Sequence, residues 1–224
     1  MNDVPVVVLV HGAWGSPEMW QYVIEALPPG VEVLVADLPT CNRAGTTLSD
    51  DADHVRELVG DRHAILVGHS YGGAVITEAG ASLPNLDHLV YLAAPMPDVG
   101  ESMFQWLTKR PVPGMPLEFH DDGTSTLNLN DVELPYDEVT IARLLGTRLR
   151  SFAIGAVMSP LSSAAWSTVP STYVVTTRDT VIHPDTQREL AERAGAVSEI
   201  DTEHQVIMSH PEAVAEVIAN LILT

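Results

Sequence analysis

Residues 64–75 read AILVGHSYGGAV: an apolar run, a serine with glycine two positions away on either side, then a helix-forming stretch. Gly68-His69-Ser70-Tyr71-Gly72 is the spacing that a very tight strand-to-helix turn demands. Such a turn forces its central residue into an unfavourable backbone conformation and crowds its neighbours, so glycine stands where a side chain would collide. The Ser70 hydroxyl is left standing above the end of a sheet. A chain built around this turn must bring a strand into it and take a helix out.

The flanking sequence repeats that rhythm. VPVVVLV (4–10) is continuous and β-branched, as expected of a strand covered on both faces. SPEMWQYVIEAL (16–27) places Ser16 as an N-cap and Pro17 at the first helical position, with apolar residues following at helical spacing. Further strands are expected at 31–37, 63–68, 86–94, 171–177 and 196–201, and helices at 50–60, 71–83, 184–195 and 211–223. From Pro95 to Val169 the alternation stops. Helix-like pieces remain at ESMFQWLTKR, YDEVTIARLLGTRL and SFAIGAVM, with no strand rhythm between them.

Alternating strands and helices imply an α/β fold: a mostly parallel sheet of about six strands with helices on both faces, joined by right-handed crossovers. The expectation is one domain, 1–224, with 95–169 inserted as a small helical cap. In such sheets the site lies at the carboxyl ends of the strands.

The balance of 11 Lys+Arg against 30 Asp+Glu gives a formal charge of −19, which repels phosphate backbones and anionic lipid. Nucleic acid and membrane surfaces are therefore poor partners, and a small molecule is expected instead. Cys41 is the only cysteine, so no intrachain disulfide can form, and it reads as an inert residue in a loop. The N-terminal apolar run has no positive charge before it and is too short for a signal core or a membrane span. A soluble, cytoplasmic monomer or homodimer is expected.

A serine hydroxyl is a weak nucleophile unless a base removes its proton and a carboxylate orients that base. His204, just past the last strand in IDTEHQVIMSHP, suits the base, and Asp179, just past the preceding strand in YVVTTRDTVIHP, suits the acid. The order serine, acid, histidine is the one expected behind this type of turn. His210 and His183 each precede a proline and read as helix entries; His69 is expected to point away from the nucleophile, and the remaining histidines to be structural. Asp201 and Asp37 could substitute geometrically for Asp179, which has the better strand-end position. An oxyanion needs preorganised donors. These are expected to be the backbone N–H of Tyr71, after the nucleophile, and of Ala13, in the loop HGAWG (11–15). No metal is expected, since no histidine spacing such as H-E-x-x-H occurs.

VLVHGAWG, GHSYGG, TTRDTVIHP and DTEHQVIMSHP together resemble the α/β-hydrolase superfamily, nearest its compact esterases, plant-type methylesterases and hydroxynitrile lyases. The likeness covers nearly the whole chain and is least at 100–165. It implies a cofactor-independent serine hydrolase that cleaves a carboxylic ester of a small, apolar substrate through an acyl-enzyme. Two departures matter. The superfamily's first antiparallel hairpin is expected to be missing, and the lysine that follows the catalytic histidine in the lyases is Gln205 here, which disfavours cyanohydrin cleavage. Ser70 stands where epoxide- and halide-processing members carry aspartate. A lyase using the same triad, or a ligand-binding receptor with a vestigial one, are the alternatives. Trp14, Met103, Phe104, Leu107, Trp106, Phe152 and Met158 are expected to line the pocket.

Overall fold

The computed structural model describes residues 4–112, 115–129 and 133–222. Along the chain run β1 (Val6–Val10), α1 (Gln21–Ala26), β2 (Val33–Val35), α2 (Leu48–Val59), β3 (Ala64–His69), α3 (Gly72–Gly80) and β4 (Leu86–Leu92). Then follow α4 (Met103–Lys109), β5 (Leu117–Phe119), β6 (Thr124–Leu127), α5 (Glu138–Gly146), β7 (Phe152–Ala153) and β8 (Ser171–Thr176). The chain closes with α6 (Pro184–Ala191), β9 (Ala196–Ile200), α7 (Val206–Ser209) and α8 (Pro211–Ile222).

Six strands form one parallel sheet in the order β2-β1-β3-β4-β8-β9. Because successive strand side chains face opposite ways, β1 feeds two cores at once. Val6, Val8 and Val10 pack with residues of α2, α3 and α6, while Val7 and Leu9 pack with Met19, Trp20 and residues of α8. All five are buried, the pattern a doubly covered strand requires.

Two expected helices have different starts. The 16–27 stretch opens as a 3₁₀ turn, Pro17–Trp20, before α1 begins at Gln21. The helix expected at 50–60 starts earlier, at Leu48, because Thr47 and Asp50 form a capping box: the Asp50 carboxylate accepts from Thr47 N–H at 2.8 Å and Asp50 N–H donates to the Thr47 hydroxyl.

The insertion is not wholly helical. α4 and α5 match two of the helix-like pieces, but β5, β6 and β7 form a three-stranded antiparallel sheet, and SFAIGAVM contributes β7 followed by a 3₁₀ turn, Ile154–Met158. These strands are two to four residues long, too short to set up a readable alternation. The β5–β6 turn is closed by Gly123 at φ +80° and by Asp122, whose carboxylate accepts from Thr124 N–H at 3.0 Å.

Candidate active site

β1, β3 and β4 end side by side: Val10 pairs with Gly68, and His69 with Leu92. The chain then turns at Ser70, whose N–H donates to Leu92 O at 3.1 Å and whose φ is +52°. A non-glycine residue in that region stores roughly 1–3 kcal/mol of strain. Glycine is enforced on both sides of it. A Cβ at Gly68 would lie 2.6 Å from Gly72 O and one at Gly72 would strike the carbonyl oxygen of Val10; across from the turn, one at Gly12 would lie 2.9 Å from Ser70 Cβ.

The loop after β1 is held tightly. His11 donates from Nδ1 to Gly12 O at 2.9 Å and accepts at Nε2 from Leu38 N–H at 3.4 Å, which assigns a neutral ring; burial lowers its pKa to about 4. Trp14 has φ +57° and donates its indole N–H to Ser125 Oγ at 3.1 Å, tying the loop to the cap. Neither Ala13 N–H nor Tyr71 N–H has a protein acceptor among the described residues. Gly12, Ala13, Ser70 and His204 border one cavity.

His204 and Asp179 meet at 2.7 Å, Nδ1–H to Oδ2, with His204 only 4% and Asp179 only 5% exposed. The carboxylate is saturated with donors. Oδ1 takes the N–H groups of Val181 and Ile182 at 2.7 and 2.9 Å; Oδ2 also takes the Thr176 hydroxyl and Gln187 Nε2, each at 2.8 Å. Burial opposes the charge, but the attraction of His204 and these hydrogen bonds outweigh it and hold the acid below its ordinary value. Its rivals lie elsewhere. Asp201 is exposed and pairs with Arg178 at 2.9 Å, while Asp37 pairs with Arg150 and Asn42. His183 accepts from Asp185 N–H as the cap of α6, and His210 meets Ser209.

Two groups beyond the sequence expectation shape the site. Gln187, fully buried on α6, donates to Asp179 and to Ile182 O at 2.8 Å, and accepts from Thr176 N–H at 2.9 Å. His69 does not simply turn away. Its ring stands 5.0 Å from that of His204, donates Nε2–H to His204 O at 2.9 Å, and borders the cavity; burial lowers its pKa to about 3. Strand-to-helix geometry separates neighbouring side chains but says nothing of a loop arriving from residue 204. A glutamine at helical position 187 carried no signal at all. Cys41 behaves as expected: buried, with its thiol pushed up to about 12 by desolvation.

The cavity holds about 720 Å³ and is walled by α4, the small cap sheet and the Ile154–Met158 turn. Trp14, Met103, Phe104, Leu107 and Met158 line it. Trp106 and Phe152 do not. Phe152 is fully buried beneath the site, 5.4 Å from the Trp14 ring and edge-on to Tyr71 at 5.0 Å. Trp106 turns its indole N–H to Glu101 at 2.9 Å and stacks on Arg193. A helix has one face toward the cavity, and Met103 and Leu107, four residues apart, occupy it. Among the described residues, no group of three or more His, Cys, Asp or Glu is arranged to hold a metal, and no helix is long and apolar enough to cross a membrane.

Comparison with known proteins agrees with this fold. The chain is 27% identical over 240 residues to the alpha/beta hydrolase nvfD of Aspergillus novofumigatus, covering 96% of each, and 26% identical to Methylesterase 2 of Arabidopsis thaliana, covering 93% of this chain and 92% of that one. Its fold superposes on a pyrethroid hydrolase from Sphingobium faniae JZ-2 with a TM-score of 0.77 at 20% identity, over 99% of this chain and 98% of the other. The model of the alpha/beta hydrolase family matches residues 7–217. With a parallel six-stranded sheet, a serine at the kinked end of β3 and that match, the chain belongs to the alpha/beta hydrolase family.

Proposed function

We propose that this hydrolase cleaves carboxylic esters through a Ser70 acyl-enzyme. The observation that carries the reading is the buried 2.7 Å bond from His204 Nδ1–H to Asp179. It fixes the tautomer, so Nε2 is the bare nitrogen left to act as base. Ser70 attacks the ester carbonyl as His204 takes its proton, and Asp179 stabilises the imidazolium. The Ala13 and Tyr71 amides receive the oxyanion. His204 then protonates the leaving alcohol, and afterwards activates the water that releases the acid.

The cavity narrows the substrate. At about 720 Å³ it has room for a drug-sized molecule, which suits an apolar ester with a bulky acyl or alcohol part. Among the described residues no lysine or arginine borders it, and Glu133 does, which favours an uncharged apolar ester over an anionic one. A fluorophosphonate probe with peptide mapping tests the mechanism. Labelling is expected at Ser70, absent in Ser70→Ala and strongly slowed in His204→Ala. Binding of esters without turnover or labelling would instead mark a receptor.

A further inference from the structure

Behind the site, on the side away from the cavity, a carboxylate is buried that the proposed chemistry does not use. Asp51 on α2 is fully buried, and among the described residues no lysine, arginine or histidine pairs with it. Three donors converge on it. Oδ1 accepts from Thr40 N–H at 3.0 Å; Oδ2 accepts from the Thr40 hydroxyl at 2.6 Å and the Tyr71 hydroxyl at 2.7 Å.

Both halves of the oxyanion site hang from these contacts. Tyr71 carries one amide on its backbone, and its side chain is pinned at the far end by Asp51 and edge-on by Phe152 at 5.0 Å. Thr40 lies in the short 3₁₀ turn Pro39–Cys41, which holds the loop carrying the other amide by two links. Leu38 N–H, at the start of the turn, donates to His11 Nε2, and the Cys41 thiol points at Gly12 O, 3.9 Å away. One carboxylate thus sits behind Tyr71 N–H directly and behind Ala13 N–H through the turn.

We propose that Asp51 is a positioning residue of the oxyanion site: in its ionised form it holds the Thr40 turn and the Tyr71 side chain so that the Ala13 and Tyr71 amides aim at one point. The role rests on the reading that these two amides receive the oxyanion. It also makes the site sensitive to acid. As a carboxylate, Asp51 accepts all three hydrogens; on protonation one of its oxygens becomes a donor, the hydroxyls must rearrange around it, and the charge-assisted bonds weaken. The titratable groups facing it are Tyr71 and Cys41, with Asp50 next along the helix; burial raises the Asp51 pKa to about 6. The carboxylate form, and the aligned site, therefore prevail above that value and are lost below it.

The test is steady-state kinetics from pH 4.5 to 9 on an uncharged p-nitrophenyl ester, with affinity for a boronic acid that mimics the tetrahedral adduct. Asp51→Asn keeps one acceptor oxygen and turns an NH₂ toward a donor. Its kcat is expected to fall about ten- to hundred-fold, less than or comparable to losing one oxyanion donor outright. KM should stay within about twofold, because only transition-state binding is touched, and boronate affinity should drop in step with kcat. The wild-type acid limb of kcat/KM should fall more steeply than a single protonation allows, and the variant's should reduce to one. Tyr71→Phe and Thr40→Val each delete one donor and keep the carboxylate, and each should lower kcat severalfold. They carry the test if Asp51→Asn does not fold. Wild-type kcat and pH profile in these variants, or a loss through KM alone, would overturn the role of Asp51. If they behave so while Ser70 still labels, only this role fails; a wild-type chain that neither labels nor turns over refutes the esterase reading and this role together.

Discussion

His69 donates its Nε2–H to the main-chain carbonyl of His204 at 2.9 Å, joining two residues 135 positions apart. The side chain beside the proposed nucleophile thus anchors the backbone of the proposed base. Its other ring nitrogen, Nδ1, is buried and has no partner, so the contact to residue 204 is the ring's one polar attachment among the described residues. This is a tether between the two loops that the proposed chemistry brings together.

Removing the tether should loosen the base more than it alters the cavity that the ring borders. His69→Ala is expected to lower kcat about tenfold or more, with KM nearly unchanged. Stopped-flow acylation rates on a chromogenic ester check it. A selective rise in KM would show that His69 works as a pocket wall instead.

The donors around Asp179 make it sensitive in a second way. Asp179→Asn cannot accept from every group now aimed at it, and it presents an NH₂ to His204 Nδ1, forcing the wrong tautomer. A loss on the order of 10⁴ in kcat is expected if the three residues act as proposed, the size such a tautomer change costs in a serine–histidine–aspartate triad. Gln187→Leu should be milder, with activity falling about tenfold or less and stability by about 1–3 kcal/mol as Thr176 N–H and Ile182 O lose their partner. Urea melts and kcat on the same preparations separate the two effects.

Acid should destabilise the fold through His11 and His69. Burial lowers both pKa values, to about 4 and about 3, below the ordinary value of 6.5. The unfolded chain therefore binds protons first as the pH falls. The stability of the neutral rings is fully present above about 6.5 and is lost as the pH drops toward 4, at up to about 1.4 kcal/mol per pH unit for each ring. Denaturant melts at pH 8, 6 and 5 should show this slope, and His69→Gln should make it shallower. An unchanged midpoint from pH 8 to 5 would contradict it.

Trp106 and Met103 should separate cap anchoring from substrate contact. Arg193 lies between the indoles of Trp106 and Trp166, 4.8 and 5.3 Å from their centres, and donates to Glu101 at 2.8 Å and to Met96 O at 2.7 Å. Trp106→Ala is expected to lower the melting temperature by several degrees and leave KM for a bulky ester close to wild type. Met103→Ala, at the cavity wall, should change KM severalfold while costing less stability. Reversed outcomes would reverse the two roles.

What the chain determines locally was legible in it. The run 4–10 and the glycines around Ser70 follow from periodicity and backbone sterics, which neighbouring residues set among themselves, and the choice of Asp179 and His204 rested on their places just past two such strands. Hence the parallel sheet, the turn at residue 70 and the approach of Asp179 to His204 were all readable. Tertiary structure alone decided the rest. Short cap strands exist because they pair with one another, not because two to four residues prefer to be extended. Whether Phe152 or Leu107 meets the cavity depends on the docking of the cap, and His69, Gln187 and Asp51 acquire partners only when distant loops arrive. Buried polar groups must find hydrogen-bond partners wherever the fold offers them, and no local pattern records where that is.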